Sequence, residues 1–192
     1  MIRLIGLDVA LVNTGWAFVR LPLEEGAEPR LVDAGVVVTT KGDGDRELHP
    51  TLDATRRGHE LHKAIARVFE AHDPEVVCVE AMSWPRHARA TAAMALAWGA
   101  LAPLIMARPF VVARAPQVVK RAVTGSKSAS KAEVIEALTK RFPNLPAVLR
   151  SIAKSRWEHP SDALASVVAS FDAEEVRAML KVGRRQPPLS TT

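Results

Sequence analysis

A single cysteine, Cys78, is present among 192 residues, so no disulfide can form within the chain and a reducing, cytoplasmic setting is expected. Cys78 lies in the apolar run VVCVE, where a thiol reads as a small buried hydrophobe. The first residues, MIRLIGLDVAL, lack the basic region, apolar run and cleavage site of a secretory leader. No internal repeat or linker divides the chain. One domain over residues 1–183 is therefore expected, followed by a disordered tail, 184–192, whose RRQPPLSTT has nothing to bury.

Charge is missing in two places. Nothing between Ala90 and Ala107 is charged, which raises a membrane span. The run is short and alanine-rich, and Gly99 and Pro103 interrupt it, so a core helix is expected and no membrane partner. Between Glu80 and Glu133 there is no Asp or Glu, yet the interval holds Arg86, Arg89, Arg108, Arg114, Lys120, Arg121, Lys127 and Lys131. Solvated faces usually mix signs, so this one-sidedness, with a net charge of +5, points to an anionic partner, and nucleic acid leads.

What is present reads as an α/β domain. MIRLIGLDVAL, TGWAFVRL and RLVDAGVVVTT pattern as strands joined by turns, an antiparallel meander. Helical spacing follows from Leu52 to Phe69, then the apolar strand EVVCVEA, the alanine-rich helix and the strand PFVVAR. SASKAEVIEALTKRF is a helix in which Ser130 and Glu133 have capping-box spacing, and HPSDALASVVASF and AEEVRAMLKVG are helical. Trp16 and Trp98 sit in apolar patterns and are expected in the core, with Trp157 in the core or at its rim. His59 and His62 in HELH stand three apart, whereas a zinc-protease helix needs its histidines four apart.

Three acids sit where apolar residues would be the simpler choice. Asp8 ends the first strand, Glu80 ends the fourth, and Asp162 lies in the first turn of a helix, on one face with His159. Taken singly, each has an ordinary explanation: a turn former, an arginine's partner, a complement to a helix dipole. Together they could converge on divalent cations. Mg²⁺ takes oxygen ligands and keeps several waters, so a few carboxylates and a substrate phosphate suffice, and two such ions can activate water and stabilise a leaving oxygen.

GLDVALVNTGWA, VVCVEAMSW, QVVKRAVTGSKSASKAEV and HPSDALASV, in that order, resemble the RuvC-type Holliday junction resolvases of the RNase H-like superfamily. The resemblance runs from about Ile2 to Ser170 and implies a mixed sheet, an antiparallel meander followed by parallel strands, flanked by helices. It implies that Asp8, Glu80, His159 and Asp162 are catalytic and hold two Mg²⁺ per active site, with Mn²⁺ as a substitute. Asp8 would bridge the ions, and His159 would ligate, touch the scissile phosphate or relay a proton. It places DNA-contacting lysines on Lys120 and Lys131. Lys127 joins them on chemistry alone, from a Gly/Ser loop that offers amides, hydroxyls and a cation to phosphate. Trp84 is expected either to stack on an unpaired base or to cap the core, with Arg86 and Arg89 on phosphates.

The chain departs from the family pattern where DVALVNTG replaces the usual Asp-Pro-Gly and where Ala81-Met82 follows Glu80, so it reads as a divergent member. The leading expectation is a Mg²⁺-dependent endonuclease that resolves four-way DNA junctions by paired nicks in a homodimer, because a two-fold dimer presents two equivalent sites to a two-fold junction. A branch-migration helicase is compatible as a further partner. The alternatives are a less selective flap or RNA–DNA hybrid nuclease, a nucleotide-binding ATPase or kinase, and a junction binder without catalysis. The ATPase or kinase would need Gly-rich phosphate loops that the chain lacks.

Overall fold

The computed structural model describes residues 1–42, 49–82 and 87–185. Trp84 and Arg86 lie outside the described residues, as does 186–192 of the expected tail.

Period-two patterning produces three strands, β1 (Ile2–Asp8), β2 (Asn13–Leu21) and β3 (Arg30–Val38), as expected. Helix α1 (Pro50–His72) then leads to β4 (Val76–Glu80), α2 (Ala88–Met106) to β5 (Phe110–Arg114), and the chain finishes in helices. The sheet order is β3-β2-β1-β4-β5. β1 pairs antiparallel with β2, which pairs antiparallel with β3, whereas β1, β4 and β5 run parallel. This is the mixed, RNase H-like sheet expected from the sequence.

Five further helices follow β5: α3 (Pro116–Thr124), α4 (Lys131–Arg141), α5 (Leu145–Val148), α6 (Glu158–Val168) and α7 (Glu174–Arg185). The capping box on α4 forms: Ser130 N–H donates to Glu133 Oε2 at 2.7 Å, and Glu133 N–H donates to Ser130 Oγ at 3.3 Å. Helix α3 adds an element that the sequence patterning did not predict, before the Gly/Ser loop that carries Lys127. Pro116 supplies the fixed φ suited to a first turn, and Gly125, at φ +80, accepts the left-handed conformation that ends it.

The sheet has a core on each face. Leu4, Ala17, Val19, Cys78 and Val112 meet α6 and its neighbours on one side, while Ile5, Leu7, Phe18, Val77 and Val79 meet α1 and α2 on the other. Burial pushes the Cys78 thiol up to about 12, so it stays protonated and inert.

Helix α2 is, among the described residues, the one helix long and apolar enough to cross a membrane. It is less of a core helix than its sequence suggested. Ala97, Leu101 and Ile105 are buried, but Ala88, Ala92, Ala95, Gly99, Pro103 and Met106 form an exposed line of mostly small apolar residues. His62 belongs to this packing and to no zinc site: its Nδ1 lies 2.7 Å from the Ala100 carbonyl oxygen, joining α1 to α2.

Candidate active site

From Leu4 to Leu7 strand β1 is buried on both faces, with Leu4, Ile5 and Leu7 no more than 1% exposed. Asp8 follows at the open end of the strand, its side chain 31% exposed, where a carboxylate escapes the cost of full desolvation. In the parallel ladder Leu7 pairs with Val79, so Glu80 ends β4 beside Asp8. The crossover thus makes neighbours of two strand ends separated in the chain by β2, β3 and the whole of α1.

Helix α6 supplies the other two groups, and two glycines set its approach. A Cβ on Gly6 would lie 1.9 Å from the Ala163 carbonyl oxygen, and one on Gly15 2.1 Å from that of His159. Only hydrogen at these positions lets α6 lie this close across β1 and β2. The first turn of α6 is thereby held over the end of β1, and His159 Nδ1 donates to Asp8 Oδ2 at 3.0 Å. Behind the helix start, Trp157 Nε1 donates to the Ile152 carbonyl at 2.9 Å, a rim position.

The turn after Asp8 is fixed without the Pro-Gly pair of the family pattern. Thr14 Oγ1 donates to the Ala10 carbonyl and accepts the Ala10 N–H, while Thr39 Oγ1 donates to the Leu11 carbonyl. Buried Arg57 in turn donates from Nε to Thr39 Oγ1 at 2.9 Å. Threonine hydroxyls replace the ring and the missing side chain as the turn's constraint.

The electrostatics show that the acids sense one another. Burial, then the charges of Asp162 and Asp8, raises Glu80 above the ordinary carboxylate range, with Lys120 opposing. Asp162 is pushed up to about 6 by burial and by Asp8, with Lys131 opposing. His159 is raised by its hydrogen bond to Asp8, against the effect of burial. The charge of Lys120 therefore acts on Glu80, and that of Lys131 on Asp162 and Asp8. Among the described residues no group of three or more His, Cys, Asp and Glu side chains is drawn together tightly enough to hold a metal ion as it stands. The cluster nonetheless suits Mg²⁺: the donors are mostly carboxylate oxygens, they are crowded without full neutralisation, and this ion keeps waters to complete its shell.

A folded-state pKa raised above the unfolded value means that stability is full below the unfolded pKa and falls as pH rises through the folded one. For Asp162 that window runs from the ordinary carboxylate value to about 6, and the penalty at pH 7 is at most about 3 kcal/mol. Metal-free Asp162→Asn is therefore expected to melt at a higher temperature than the unaltered protein at pH 7. The gain should shrink below about pH 6 and vanish near pH 4. Thermal unfolding in EDTA across this range checks it, and a pH-independent difference would contradict the assigned burial.

The other residues expected at the site are less central. Lys127 is exposed between α3 and α4, and Arg89 is exposed in the first turn of α2. Two kinds of residue escaped sequence reasoning. Trp98, expected in the core, lines a small cleft of about 60 Å³ with Asp8, Glu80, Met82 and Met94. Met94 and Trp98 stand four apart on α2, the only hint of a shared face. Glu158 lies beside His159 and meets Lys131, and nothing in its local pattern marks it.

A family model described as crossover junction endodeoxyribonuclease RuvC matches residues 4–170. A protein of that name from Erythrobacter litoralis is 32% identical over 177 residues, covering 92% of this chain and 96% of that protein. Another from Zymomonas mobilis is 32% identical over 142 residues, 73% of this chain and 78% of the relative. Among solved structures, Thermus thermophilus RuvC in complex with a Holliday junction substrate superposes with a TM-score of 0.68 at 24% identity, covering 88% of this chain and 92% of that one. The yeast mitochondrial Holliday junction resolvase gives 0.63 at 16% identity, covering 95% and 82% respectively. These two structures bear on the fold.

Proposed function

The chain belongs to the RuvC family of crossover junction endodeoxyribonucleases, and from that membership we propose that Asp8, Glu80, His159 and Asp162 are its catalytic centre and hold two Mg²⁺ ions. The enzyme is a Holliday junction resolvase, and the nucleotide-binding and non-catalytic alternatives fall away with that assignment. The observation that carries the site is the approach of α6 to β1, which brings His159 to 3.0 Å from Asp8 beside Glu80 and Asp162.

Asp8, Glu80, His159 and Asp162 would together hold the ions, and Mn²⁺ would suit the same oxygen-rich set. When bound, the ions would supply an activated water and charge stabilisation for the leaving oxygen of a phosphodiester. The chain's own groups do the rest. With Nδ1 of His159 committed to Asp8, Nε2 is the nitrogen left to meet a phosphate or a proton. The charges of Lys120 and Lys131 act on the acids, so the negative charge that the acids concentrate is balanced where a phosphate must enter.

The preferred substrate is four-way DNA, cut by paired nicks in a homodimer in the cytoplasm. The exposed small-residue line on α2 supports the dimer, because a Cβ on Gly99 would meet nothing within 4 Å and small side chains permit close helix approach. Lys120, Lys127 and Lys131, with Arg89, Arg86 and Trp84, are the proposed DNA contacts.

Removing Lys120, Lys127 and Lys131 together tests this interface. Each lost phosphate contact should lower the log–log salt slope of junction binding by roughly one unit, so the triple alanine variant should bind weakly and with a flatter salt dependence. Junction titrations at several salt concentrations read it out, and an unchanged slope would remove this face from DNA.

A further inference from the structure

Lys131 opens α4 and Glu158 opens α6, and the two helix starts are joined side chain to side chain. Lys131 Nζ donates to Glu158 Oε2 at 2.6 Å. The other carboxylate oxygen, Oε1, lies 3.7 Å from His159 Nε2, and His159 Nδ1 lies 3.0 Å from Asp8 Oδ2. A continuous run of polar contacts therefore leads from Lys131 through Glu158 and His159 to Asp8.

The pair contributes little to the fold. The Lys131 side chain is 64% exposed and that of Glu158 37%, and ion pairs this wet are weak in water. Nor does Glu158 aid ground-state DNA affinity, since it adds a negative charge where phosphates must approach. What it does change is where the ammonium stays. A lysine on a flexible four-carbon stem has many rotamers, and here one carboxylate holds it on the side of Asp162 and Asp8. Of its three N–H donors one is committed to Glu158, which leaves two for a phosphate oxygen.

We infer that Glu158 is a positioning residue for cleavage, holding the Lys131 ammonium against the site where the scissile phosphate is received. The inference rests on the reading of Asp8, Glu80, His159 and Asp162 as the catalytic centre. Affinity for the ground state is given up for a cation already aimed at the charge that grows on the phosphate.

The test is a double-mutant cycle with Glu158→Ala, Lys131→Ala and the double variant. Single-turnover cleavage of a four-way junction is measured in Mg²⁺, and junction affinity in EDTA. Glu158→Ala should slow cleavage roughly ten- to a hundredfold while the junction Kd stays level or tightens. The double variant should be no slower than Lys131→Ala alone. Glu158→Gln keeps the length and loses the charge, so it should fall between Glu158→Ala and the unaltered enzyme. If the two single losses multiply in the double variant, Glu158 acts elsewhere and the inference fails while the catalytic reading stands. If Lys131→Ala cleaves at the unaltered rate, both the inference and the assigned role of Lys131 fail. If Glu158→Ala slows cleavage only through a weaker Kd, it is a binding residue and the inference fails.

Discussion

Asp8→Asn is expected to lose cleavage by a factor on the order of a thousand or more while still binding a four-way junction. The amide keeps the size of the side chain and its carbonyl can accept the His159 hydrogen bond, so the fold is retained. Its missing charge is what matters, because a neutral amide is a poor ligand for a hard cation and cannot serve two at once. Binding survives because most affinity for DNA comes from lysine and arginine on phosphates, which this change leaves alone. Losing one acid from a crowded cluster should even tighten binding slightly in EDTA. Single-turnover cleavage and junction titration, measured on the same preparation, check both halves. Substantial cleavage by Asp8→Asn would remove Asp8 from the centre of the site.

His159→Ala is expected to lose cleavage roughly a hundredfold or more, and His159→Asp to retain metal-dependent cleavage with an altered pH profile. The hydrogen bond to Asp8 raises the imidazole above its ordinary value of about 6.5, so in the metal-free protein His159 keeps its proton to higher pH than a free imidazole does. Proton and cation then compete for the same corner. At limiting Mg²⁺ the acid limb of the rate profile should lie above about pH 6.5, and it should move down as Mg²⁺ is raised. A carboxylate at this position titrates lower, so His159→Asp should shift the limb downward. Rate profiles for the three proteins at two Mg²⁺ concentrations give the answer. Superimposed profiles would make His159 a helix-start residue without chemistry.

The strand order, the two strand-end acids and the His159–Asp162 turn were legible in the sequence, because each depends on local patterning. Alternation made the strands visible, and the parallel pairing of β1 with β4 followed from the crossover through α1. The approach of α6 was legible only in retrospect. Nothing local to Gly6 or Gly15 shows their need for an absent Cβ, which depends on Ala163 and His159, more than 140 residues away. Helix α3 was hidden by Gly/Ser content after its end, although Pro116 and Gly125 marked its limits. Trp98 was assigned to the core because periodicity reports that a face is covered and cannot report that its rim borders a cleft. Glu158 had no signal at all, since its meaning comes from Lys131 on another helix.

The central claim is that this cluster cuts branched DNA, four-way junctions above others, in a metal-dependent step. The most direct measurement sets a four-way junction, a flap, an RNA–DNA hybrid and plain duplex before the unaltered enzyme and Asp8→Asn, in Mg²⁺ and in EDTA. The account predicts two symmetrically placed nicks in the four-way junction, in Mg²⁺ only and with the unaltered enzyme only, and far slower cutting of the other substrates. Equal cutting of flap or hybrid, or cleavage that persists in EDTA, would contradict it.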